Sequence, residues 1–231
     1  MLNRSNTAPA IALDARRALA ARLRELVRQI PPAPCAWSGI DWEGLFAGAS
    51  ADTGLGQLSR LYCDAAGRVT ELRGLWNESI ATAAFAWRIA PHLGAEPAAS
   101  ATAGLLHRLG DALTLRALAS IEESSGMRVD AAAKANLCAE HANTVLDEAV
   151  RVWQVPTRAA AMASGWRRLR DFPAVASDAA VVHLARFMAI ERVSPRFCAP
   201  GMVESAAEEL KVDAGVLREV RAATRLESLL V

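Results

Sequence analysis

Tyrosine occurs once in this chain, against six tryptophans and five phenylalanines. Alanine is abundant and the β-branched residues are scattered, a composition that favours closely packed helices over sheet. No segment alternates apolar and polar residues with period two for long enough to make a strand. The four cysteines (Cys35, Cys63, Cys138 and Cys198) are far apart and include no C-x-x-C pair. That excludes a disulfide frame and a zinc site of the usual spacing, and predicts buried free thiols in a reducing compartment. An excess of charge of one sign is lacking too: 26 basic and 25 acidic residues leave a formal charge of +1. The two signs are interspersed, so neither nucleic acid nor an anionic membrane is an expected partner. No apolar run reaches membrane-spanning length, and no basic start leads into an apolar stretch, which makes the cytoplasm the expected location. No fixed-period repeat is visible.

What is present is a globular composition, with 52% apolar and 22% charged residues over 231 positions. That length makes one large domain or two small ones and buries an ample core. Helical spacing of Leu13, Leu19, Leu23, Leu26 and Ile30 predicts a helix over 10–30, stopped by the prolines of "PPAP" at 31–34. Short helical pieces follow over 41–62, around Trp42 and Phe46. Further helices are expected over 69–90, 103–123, 131–152, 157–169 and 179–193. Asp130 is positioned to cap the third of these five, and Pro156 to open the fourth. Pro200 then begins a short helix, and Asp213 caps the last. The expected fold is all-α: a helical bundle over 69–231, with a smaller helical part over 1–68.

Taken one at a time, the polar residues make no catalytic claim. His107 and His183 each sit in a strongly apolar helix, where a lone histidine is usually a hydrogen-bonded core residue. His141 lies beside Glu140 on a helix of small residues, and His92 reads as loop surface. Glu122 and Glu123 read as a solvated helix end. Trp76, Trp87, Trp153 and Trp166 stand at helical spacing, which is more often core than a base-stacking surface. H-E-x-x-H, G-x-S-x-G and the glycine-rich phosphate loops are all missing.

The order of the fragments says more. "LWNESIATAAFAWRIA" (75–90) precedes "AGLLHRLGDALTL" (103–115), then "EHANTVLDEAVRVWQVP" (140–156) and "DAAVVHLARFMA" (178–189). This succession resembles the HDOD family, the HD-related output domains of bacterial signalling proteins, over about 70–220. The earlier "ADTGLGQLSRLYC" (51–63) is similar to that family's "D-x-x-L" helix, followed by a shortened connection. The resemblance implies an HD-like bundle, related to phosphohydrolases whose helices converge on one or two metal ions. It also implies where the ligands would stand, and most have changed. Glu78 occupies the histidine position before the serine of "W-x-H-S". The metal doublet is His107 followed by Arg108 in place of aspartate. His141 keeps a histidine position, the paired histidines fall on Trp166 and Arg167, and the closing aspartate is Arg186.

A guanidinium does not deprotonate in such a setting and repels a divalent cation. The resemblance therefore implies a non-enzymatic signalling or regulatory module, without metal or cofactor, working through a protein partner or a small ligand. With no room for an attached output domain in this length, it is expected to act in trans. Two alternatives stand beside it: a residual metal-dependent phosphohydrolase, and a sensor whose arginine-bearing site holds a nucleotide or other anion. A further expectation is that Arg186, with Arg108 behind it, pairs with Glu78 and ties two helices together where a metal would have done so.

Overall fold

Ala81–Ala86 lie in the middle of a 21-residue helix, and every one of them is buried. A helix apolar on all sides needs neighbours on all sides, and the computed structural model supplies them. It describes residues 21–23, 25, 37, 40–46, 53–63, 69–126, 128–167, 176–227 and 229–230. In chain order the helices are α1 (Trp42–Phe46), α2 (Thr53–Cys63), α3 (Val69–Ile89), α4 (Pro97–Leu106), α5 (Leu109–Ser125) and α6 (Ala131–Val152). They continue with α7 (Thr157–Gly165), α8 (Ala176–Val193), α9 (Met202–Glu209) and α10 (Ala214–Ala223). All regular structure among the described residues is helical, and none of those helices is long and apolar enough to cross a membrane. The fold is all-α.

Helix α3 is the axis of the bundle, packed along its length on α4 to one side and α8 to the other. The approach to α4 depends on Gly104, since a Cβ there would come 2.9 Å from the backbone of Ala83. The buried hydroxyls need no water, because Thr82, Ser100, Thr102, Thr114 and Thr224 each donate to the carbonyl four residues earlier. The buried apolar residues form one cluster. It takes in Leu23, Trp37, Trp42, Leu58 and Tyr62 together with the helices that follow them.

The structure redraws several element boundaries. The helix expected over 103–123 is two helices, α4 and α5, meeting at His107 and Arg108. Its start also moves back, to Pro97. Proline at the first helical position forfeits no hydrogen bond, and the Glu96 carboxylate caps the turn by accepting from the Ala98 and Ala99 amides at 2.9 and 2.7 Å. The pieces over 41–62 are the separate helices α1 and α2. Helix α7 ends at Gly165 rather than at 169, helix α8 begins at 176, and α9 begins at Met202 after Gly201. Asp130 and Asp213 cap α6 and α10 as their positions foretold, accepting from Ala133 and Gly215. Of the helix expected over 10–30, residues 21–23 and 25 are helical. The rest of it, and the 31–34 boundary, lie outside the described residues. Cys138 and Cys198 form no disulfide, and both are half-buried where buried thiols were expected; Cys35 and the Cys63 side chain also lie outside the description.

Candidate functional site

The break between α4 and α5 places a histidine and an arginine where three other elements meet. His107 still has helical angles, whereas Arg108 (φ −104°, ψ 1°) turns the chain before α5 begins. The His107 side chain is fully buried. Its Nδ1 lies 2.6 Å from the Gly104 carbonyl oxygen. A carbonyl only accepts, so Nδ1 is assigned the proton, and in neutral imidazole Nε2 presents a lone pair. Burial lowers the His107 pKa and the neighbouring Glu78 opposes that shift, with a net result below the ordinary 6.5.

Glu78 comes from α3, on the turn before its fully buried stretch. Its Oε1 accepts from Arg186 Nε of α8 at 2.7 Å. The same oxygen lies 3.6 Å from His107 Nε2 and 3.7 Å from Arg108 Nε. Both exceed hydrogen-bond length, so these are electrostatic contacts. Burial pushes the Glu78 carboxyl upward; His107, Arg108 and Arg186 together outweigh it and hold the group well below the usual carboxylate range. Arg186 reaches Glu78 as expected, and α3 is tied to α8.

A second carboxylate mirrors the first. Asp111, one turn into α5, accepts from Arg167 Nη2 at the end of α7 and lies 3.1 Å from Arg108 Nη1. Between the two pairs stands the Trp166 ring. The guanidinium carbons of Arg167 and Arg186 lie 4.9 and 4.8 Å from its centroid, within cation–π range. The His107 ring meets it edge to face at 5.2 Å. Beneath, Tyr62 of α2 donates to the Leu105 carbonyl at 3.3 Å, and burial raises its phenol pKa.

Six of the seven residues singled out in the sequence are thus joined by contacts: Glu78, His107, Arg108, Trp166, Arg167 and Arg186. His141 is not among them. Its Nε2 lies 3.8 Å from Glu140 on its own helix, and no hydrogen bond, ion pair or ring contact joins it to the cluster among the described residues. One participant was missed. Asp111 was legible in principle, since it follows Arg108 by three residues, the spacing of a helical ion pair. Tyr62 lies nearby, bonded to the Leu105 carbonyl and to the Ser79 hydroxyl, and contacts no member of the cluster among the described residues. Outside the cluster, His183 is half-buried edge-on to Phe187, and His92 is exposed. Glu122 is more than a solvated end: it accepts from the Val129 amide at 2.7 Å and so braces the turn between α5 and α6.

The donor set does not suit a divalent ion. Glu78 and Asp111 are both engaged by guanidiniums, which leaves His107 Nε2 as the cluster's lone-pair nitrogen. Among the described residues no three histidine, cysteine or carboxylate side chains are grouped as a metal would need.

Comparison with known protein families matches residues 56–164 to the HDOD domain. That stretch is an HDOD domain. It runs from within α2 to the end of α7, beginning in the "ADTGLGQLSRLYC" segment and ending well before 220. Glu78, His107, Arg108, Asp111 and His141 lie inside it, whereas Trp166, Arg167 and Arg186 lie beyond its end. No curated protein and no solved structure matches the chain. An HDOD domain is an HD-related domain associated with signalling, and the match suggests that class for residues 56–164.

Proposed function

We propose that the chain is a non-catalytic bacterial regulatory module that works in the cytoplasm by binding a protein partner. The contact that carries this reading is Arg186 Nε to Glu78 Oε1 at 2.7 Å. Hydrolysis of a phosphate ester by an HD-type centre needs a metal that polarises the phosphoryl group and acidifies a bound water. Here the convergence point of the helices is filled by cations already paired with its carboxylates. An arginine–carboxylate pair does the mechanical part of a metal's work, holding α3 against α8, and supplies neither an open coordination position nor a nucleophile. Signalling without chemistry must then proceed by recognition of another molecule.

The test is a hydrolysis assay with manganese and magnesium supplied, using nucleoside phosphates and cyclic dinucleotides. The expected rate is that of the buffer blank. Turnover that disappears in His107→Ala would establish the phosphohydrolase reading instead.

A further inference from the structure

The cluster's charges do not balance, and the imbalance has an address. Arg186 pairs with Glu78 and Arg167 with Asp111. Arg108 is the third cation, and it is second in line at both carboxylates, 3.7 Å from Glu78 and 3.1 Å from Asp111. Its Nε is buried and has no hydrogen-bond partner among the described residues, and the same is true of the neighbouring His107 Nε2. All five charged side chains are largely buried, Glu78 and Asp111 at 15% and 6% exposed and Arg108, Arg167 and Arg186 at 20–22%. Among the described residues the cluster therefore holds a partly desolvated excess of positive charge.

We propose that this cluster binds a phosphate group, with Arg108 as its principal partner. The inference rests on the reading of the cluster as metal-free. A partly desolvated cation without a full counter-charge is costly, and an oxyanion at the guanidiniums offsets it. Three guanidiniums approaching from three residues suit the several oxygens of a tetrahedral oxyanion better than the two of a carboxylate. Charge-assisted hydrogen bonds from arginine forks are the usual means of holding such a group. Free phosphate and a phosphate monoester carry the same chemistry.

Thermal unfolding of the chelator-treated full chain tests this with four additives at matched ionic strength: sodium phosphate, AMP, sodium acetate and sodium chloride. A ligand bound only by the folded state raises Tm in a saturable way. The expected result is a saturable rise with phosphate, AMP or both, and none with acetate beyond that of chloride. A rise with AMP at lower concentration than phosphate assigns the monoester; a rise with phosphate alone assigns the free ion. Arg108→Gln should abolish the rise while circular dichroism shows the helices intact. Should that variant not fold, Arg108→Lys keeps the charge, loses the fork, and should retain only a reduced rise. No rise, an equal rise with acetate, or an undiminished rise in the Arg108 variants overturns the proposal. Metal content of the same untreated preparation reports separately on the reading beneath it.

Discussion

Glu78 shows how one substitution changes what a pocket does. In the position where the resemblance implies a histidine ligand, it draws Arg186 across from α8 and keeps His107 and Arg108 within 3.6 and 3.7 Å. Replacing it with glutamine leaves Arg186 without its carboxylate and Arg108 with Asp111 alone. Because the partners are partly solvated, the loss should fall below the ~3–5 kcal/mol of a fully buried pair. A double-mutant cycle of Glu78→Gln and Arg186→Gln, read by denaturant unfolding, should show a coupling of about 1 kcal/mol or more; independent effects would mean the contact does not bear load. The same residues set the response to acid. His107 and Glu78 both have folded-state pKa values below their ordinary 6.5 and 4.5. The unfolded chain therefore takes up each proton at higher pH than the folded chain does, so stability rises with pH. His107 should begin to erode stability as pH falls below about 6.5, and Glu78 should add to the loss below about 4.5. Unfolding midpoints between about pH 7 and pH 3 should follow that descent, and Glu78→Gln should flatten its lower part.

Among the elements, the junction of α4 and α5 was the hardest to read. "PAASATAGLLHRLGDALTL" is apolar at helical spacing throughout, so periodicity alone runs one helix through it. At the break stand two local contacts, His107 Nδ1 to the Gly104 carbonyl and Arg108 to Asp111, and one from a distant helix, Arg108 to Glu78, and none of them follows from apolar periodicity. Helix starts with local signals, the Asp130 cap of α6 and the Asp213 cap of α10, were legible to the residue, whereas the last helix, expected through "AGVLREVRAATRLESLL" to 230, ends at Ala223. Pro97 misled because proline reads as a stop, whereas behind a capping glutamate it begins α4. Packing between elements leads to a paired prediction on glycines. At Gly110 of α5 an added Cβ would lie 1.9 Å from the Ala142 carbonyl oxygen of α6. Gly110→Ala must push those helices apart and should cost about 1–3 kcal/mol. Gly74, exposed within α3, has nothing within 4 Å of such a Cβ. Gly74→Ala should stabilise by about 0.5–1 kcal/mol through helix propensity. Equal effects in thermal melts would show that the α5–α6 contact is looser than its geometry implies.

For the whole molecule, fold class and the cluster's membership were legible for different reasons. The all-α class follows from composition and periodicity. The cluster came from the order of fragments that resembles HDOD domains, since Glu78, His107 and Arg186 are too far apart in sequence for any local pattern to join them. Asp111 escaped because the resemblance marks no position there. His141, also marked by the resemblance, makes no contact with the cluster among the described residues. The central claim is that ion pairs hold these helices together where a metal would have done so. Its most direct test is elemental analysis by mass spectrometry of protein expressed in metal-supplemented medium and purified without chelator. The account predicts well under one equivalent of iron or manganese per chain. One equivalent in the wild type, lost in His107→Ala, would contradict it.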